Sequence, residues 1–166
     1  TTDLARAEAL AIPLTLALLV IVFASAVAGM LPLLVGGIAI AATFAALSGI
    51  SEVTDVSIFA LNLTTALGLG IGIDYALLIV SRYREELERG RAVDDAIGIT
   101  LRTAGRTVVF SAATIAVALS ALLVFPLYFL RSFAYAGMVV VAVTALASVV
   151  TLPALLAVLG ARVDRF

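Results

Sequence analysis

The chain has 166 residues, 64% hydrophobic and only 13% charged, against about 45–50% apolar residues in soluble domains. A soluble protein of this size cannot bury so much apolar surface, so the bilayer is its expected solvent. A net charge of −1 excludes a global basic field for nucleic acid, and the absence of cysteine and histidine removes thiol catalysis, disulfides and most zinc chemistry.

The opening stretch, "TTDLARAEAL", lacks the basic start and cleavage site of a signal peptide. Five apolar stretches follow, each near the roughly 20 residues that a hydrocarbon core requires. The first two cover about 10–30 and 31–50, and "AGMLP" between them reads as a Gly-Pro turn closing a tight helical hairpin. An acidic loop with Glu52 and Asp55 leads into the third, about 59–81. A charge-rich connector occupies 82–106. Through "SRYREELERG" the third helix is expected to continue, with Glu85 and Arg89 at i,i+4 and Gly90 as its stop. A short helix is expected from Val93, with Asp94 and Asp95 in its first turn and Arg102 in its last. Its stripe of Val93, Ile97, Leu101 and Ala104 suits a membrane surface, although a solvated connector is the plainer reading. The fourth and fifth spans cover about 107–125 and 133–160.

Charge sets the expected topology. Arg82, Arg84, Arg89, Arg91, Arg102 and Arg106 lie between the third and fourth spans, and Arg162 and Arg165 follow the fifth. The positive-inside rule makes both regions cytoplasmic. Five crossings then place the N-terminus outside, with the Glu52 and Asp55 loop, and the C-terminus inside.

One residue contradicts its surroundings. In "GLGIGIDYALLIVSRYREEL", residues 68–87, Asp74 lies eight residues before Arg82, or about 12 Å by helical rise. A carboxylate at that depth is costly, so it is expected to be paired, protonated or both, and functional by default. The alternative is a carboxylic acid that only bonds a neighbouring helix. Gly70 sits one turn before Asp74 on the same face, and Gly68 and Gly72 form a small-xxx-small pair that admits another helix. Ser111 and Thr114 share a face of the fourth span and could reach Asp74 if the third and fourth spans are neighbours. Thr144, Ser148 and Thr151 form a second polar stripe on the fifth, where Pro153 frees a backbone carbonyl. For both sets, ordinary interhelical bonding or back-bonding stands beside a proton path.

"GIDYALLIVSRYREEL" followed by "GRTVVFSAATIAV" resembles the MMPL family (mycobacterial membrane protein large) of the resistance-nodulation-division (RND) superfamily. The resemblance extends from "DLARAEALAIPLTL" to the last helix. It implies an all-α membrane protein whose five transmembrane helices correspond to helices two to six of one half of an RND-type bundle. It also implies a multi-pass protein of the inner (plasma) membrane that exports lipids or other hydrophobic compounds. The coupling ion would be the proton, with no other cofactor. Asp74 and Tyr75 would form one of two Asp-Tyr pairs that meet at the centre, the other coming from the missing half in cis or in trans. Ser111 matches the family serine beside those pairs.

The same five-helix unit resembles a sterol-sensing domain, so a lipid-binding regulatory module is the alternative, and a purely structural bundle is a third reading. An enzyme is not expected, because no nucleophile–base pair, metal cluster or phosphate loop is present.

Overall fold

The computed structural model describes residues 13–14, 26–51 and 58–160. Among the described residues every regular element is helical. Helix α1 is Ala26–Ser51 and α2 is Ile58–Glu88. Helix α3, Val93–Thr100, runs through a π-helical turn, Leu101–Gly105, into α4, Arg106–Ser120, which ends in a 3-10 turn, Ala121–Val124. Helix α5, Tyr128–Leu146, passes through a second π-helical turn, Ala147–Thr151, into α6, Leu152–Leu159.

Joined end to end, these make four rods long and apolar enough to cross a membrane: Met30–Gly49, Asn62–Glu88, Val93–Val124 and Tyr128–Leu159. The expected fifth, at 10–30, falls largely outside the described residues. Its last five residues belong to α1, which runs unbroken through "AGMLP" with Pro32 inside the helix. The tight turn expected there is absent. Pro32 leaves one carbonyl without its helical partner, whereas a turn within an apolar segment would strand several backbone groups at once.

The short helix expected from Val93 does not end at Arg102. Helix α3 continues into the Val93–Val124 rod of 32 residues, about 48 Å at 1.5 Å per residue and longer than a hydrocarbon core of about 30 Å. It packs against α2 and α6. Ala96 and Ala104 are buried, and Ile97 packs against the core. Two of the four stripe residues, Ile97 and Ala104, therefore face protein.

Helix α2 is the hub, packed between α1 and α5 with its arginine-rich end on α3. Glycine makes the closest approach possible. A Cβ on Gly72 would stand 2.9 Å from the Gly36 Cα of α1, and one on Gly68 would meet Ile40 and Val140 at 3.1 Å. The small-xxx-small pair thus serves helix packing, as its spacing suggests.

Helix α2 ends as its sequence predicts. Gly90 adopts a φ of +79°, its N–H donates to the Leu87 carbonyl, and the Arg91 N–H donates to the Glu86 carbonyl. These are the two bonds of a Schellman cap. The cap turns Arg91 back onto Glu86, whose side chain is 1% exposed and pairs with Arg82 at 2.7 Å and with Arg89 and Arg91 at 2.6 Å. The expected pair of Glu85 and Arg89 forms beside it. The second π-helical turn has its cause in Pro153. The proline ring cannot coexist with a regular helical bond to the carbonyl four residues earlier, and a wider turn relieves the conflict.

Candidate functional site

Asp74 lies near the middle of the Asn62–Glu88 span. Ala66, Gly70, Asp74 and Leu78, four residues apart, form one exposed line along α2. Gly70 has open space where a Cβ would stand. It does not bring a neighbouring helix to Asp74; that close approach belongs to Gly72, two residues away on the packed side.

One position along, the environment reverses. Tyr75 is 7% exposed and belongs to the core cluster with Ala76, Ile79 and Val108. Its hydroxyl donates a hydrogen bond of 3.3 Å to the Ser111 Oγ of α4. Ser111 is half-buried, five residues beyond Arg106 or about 7 Å along the helix. The third and fourth expected spans are therefore joined within the membrane-spanning region, with tyrosine rather than aspartate making the contact. Thr114 is not brought to the pair. It is exposed, and its hydroxyl donates to the Phe110 carbonyl at 2.9 Å, which is simple back-bonding.

The stripe on the last rod divides. Thr144 and Ser148 are fully buried, and neither side-chain oxygen has a hydrogen-bond partner among the described residues. The Thr144 methyl lies 3.6 Å from the Cβ position of Gly72, so this stripe faces the packed side of α2 and not the open line that carries Asp74.

Two features escaped the sequence reading. Gly36 is the backbone against which Gly72 rests, and its only signal was a glycine pair inside an apolar run. Glu86 is the most buried carboxylate of the connector, and the arginines three and four residues on either side of it were a signal within reach.

Chemically, the site holds one exposed carboxyl group and, at the next residue, a tyrosine hydroxyl linked to Ser111. Such a set can accept, hold and pass a proton, and it includes no activated nucleophile.

The profile described as the MMPL family matches residues 1–166. The chain is 48% identical to a membrane protein of Streptomyces coelicolor, over 97% of this chain and 23% of that protein. It is 46% identical to the trehalose monomycolate exporter MmpL3 of Mycolicibacterium smegmatis, over 98% of this chain and 16% of the exporter. To the mycolic acid-containing lipids exporter MmpL11 of the same organism it is 34% identical, over 95% of this chain and 17% of that protein. It spans less than a quarter of the length of each of these relatives. With its multi-pass helical architecture and a family match over its whole length, this chain belongs to the MMPL family of RND-superfamily transporters.

Proposed function

We propose that this chain is a transmembrane portion of a proton-motive-force-driven exporter of lipids or other hydrophobic compounds across the inner membrane. The observation that carries the reading is the position of Asp74: mid-span, on an open face, beside the Tyr75–Ser111 hydroxyl pair. A charged carboxylate facing lipid at that depth costs at least about 2.5 kcal/mol. That cost is avoided if protein covers the face, and the covering element is the second half of the transporter with its own Asp-Tyr pair. The relatives named as lipid exporters support the cargo class.

In this reading the N-terminus is extracytoplasmic and the arginine-rich end cytoplasmic. A proton arriving from outside neutralises Asp74, and the hydroxyls of Tyr75 and Ser111 re-form their bonds around the neutral acid. Release to the cytoplasm restores the charge. Each charge carried across gains about 2.3 kcal/mol per 100 mV of membrane potential.

The test is lipid export by the full-length parent in sealed vesicles with an imposed, inward proton gradient. Export should stop when a protonophore collapses the gradient. Continued export at the same rate would remove proton coupling and favour a lipid-sensing role. Orientation is checked separately, by cysteine at Ser51 or at Arg91 and an impermeant thiol reagent. Only the first should label in intact cells.

A further inference from the structure

At the arginine-rich end, a groove runs between α2 and the rod formed by α3, the first π-helical turn and α4. Its volume is about 530 Å³, with Leu78, Arg82 and Glu85 on one wall and Arg102, Arg106 and Thr107 on the other. We propose that this groove binds the phosphate of an anionic phospholipid from the adjoining leaflet, with Arg102 and Arg106 as its donors. The site rests on the membrane reading of the chain and is independent of proton coupling at Asp74.

The charges in the groove are unevenly committed. Glu85 is held by Arg82 and Arg89, and Arg82 also reaches Glu86. Arg102 and Arg106 are exposed and have no carboxylate partner among the described residues. The groove thus presents two uncommitted guanidinium groups. Its threonine hydroxyls are already spent: Thr103 donates to the Ile99 carbonyl at 2.8 Å and Thr107 to the Thr103 carbonyl at 3.3 Å. An anion entering here therefore meets arginine forks, whose planar donors match two phosphate oxygens at once.

Position selects a lipid over a free anion. Arg82 is about 12 Å along α2 from Asp74, at the level where headgroups begin, and basic pockets between transmembrane helices suit anionic headgroups. One turn beyond Arg106, toward the membrane centre, Val109 and Phe110 are 53% and 76% exposed, and Leu78 is 39% exposed across the groove. These apolar side chains offer an acyl chain a surface that inorganic phosphate cannot use. The π-helical turn Leu101–Gly105 contains Arg102 and ends just before Arg106, and such turns recur at functional sites.

The test uses the full-length parent, stripped of lipid in detergent and titrated with phosphatidylglycerol or phosphatidylcholine, with bound lipid counted by native mass spectrometry. Phosphatidylglycerol should bind at least about tenfold more tightly, a difference of about 1.4 kcal/mol. The double variant R102Q/R106Q should lose that preference. R102K/R106K should keep part of it, because charge remains and the fork does not. R131Q, at the opposite end of the bundle, should bind as wild type. Equal binding of the two lipids by the wild type overturns the proposal, whatever the variants do. So does undiminished phosphatidylglycerol binding by R102Q/R106Q, the result expected if another segment of the parent fills the groove. Displacement of the lipid by millimolar inorganic phosphate as readily as by phosphatidylglycerol would make this a free-anion site and overturn the lipid assignment.

Discussion

Two faces of α2 do different work with the same kinds of residue. The packed face brings Gly68 and Gly72 against α1 and α5, seats Tyr75, Ile79 and Tyr83 in the core, and ends on Glu86 among its arginines. The open face carries Ala66, Gly70, Asp74 and Leu78, with no neighbouring atom where a Cβ on Gly70 would stand. Each face has glycines, and each has an acid. On the packed face the acid is ion-paired and the glycine touches backbone. On the open face the acid sits exposed at mid-span. Helix packing and the exposed mid-span acid are thus separated by about a third of a helical turn.

The largest effect should come from the open face. Asp74→Asn keeps the shape and hydrogen-bonding capacity of the neutral acid but cannot ionise. Export by the full-length parent should fall to background while membrane abundance and melting temperature stay at wild-type values. Export at the wild-type rate would reduce Asp74 to a packing residue and dissolve the contrast between the faces.

The packed face should answer in the opposite currency. Gly72→Leu forces a side chain into the Gly36 backbone, where a Cβ alone would be 2.9 Å away. Overpacking of this kind costs about 1–3 kcal/mol or more. A thermal melt of the purified parent should drop by several degrees, with export lost only in proportion to folded protein. An unchanged melt would mean that α1 and α2 do not meet at these glycines.

Tyr75 sits on the packed face one residue from Asp74, so its effect should be intermediate. Tyr75→Phe removes one hydrogen bond to Ser111 and keeps the ring, for about 0.5–1.5 kcal/mol. Ser111→Ala should do similar damage, and the double variant little more than either alone, because both remove the same contact. Fully additive losses would show that the 3.3 Å contact is not made in the working protein.

The smallest effect should be Gly70→Ala. No atom of the described residues lies within 4 Å of the added methyl, and alanine favours a helix over glycine by up to about 1 kcal/mol. The melt should hold or rise slightly. A fall as large as that of Gly72→Leu would place a packed neighbour on the open face.

Particular residues show how far the sequence could be read. The α2 cap at Gly90, the pair of Glu85 and Arg89, and the acidic first turn of α3 were legible because each depends on neighbours within four positions. Asp74 was legible because a carboxylate within lipid is expensive wherever it points. "AGMLP" misled because a Gly-Pro pair is a strong turn signal in water, while an apolar solvent penalises every backbone group that a turn would release. The stripe on α3 could not be placed from sequence because an apolar face suits lipid and protein alike; Ile97 and Ala104 pack on the core.

The sequence by itself determined that the chain is helical and crosses a membrane, and that one acid lies deep within a span. Those properties follow from composition, run length and local spacing. Only the tertiary structure decided that Gly72 is packed and Gly70 is open, that Tyr75 and not Asp74 meets Ser111, and that Arg102 and Arg106 face a groove. The reason lies in the solvent. In water a helix marks its buried side with apolar residues, but in a bilayer both sides are apolar. Which side receives a neighbour is then set by contacts between residues far apart in the chain.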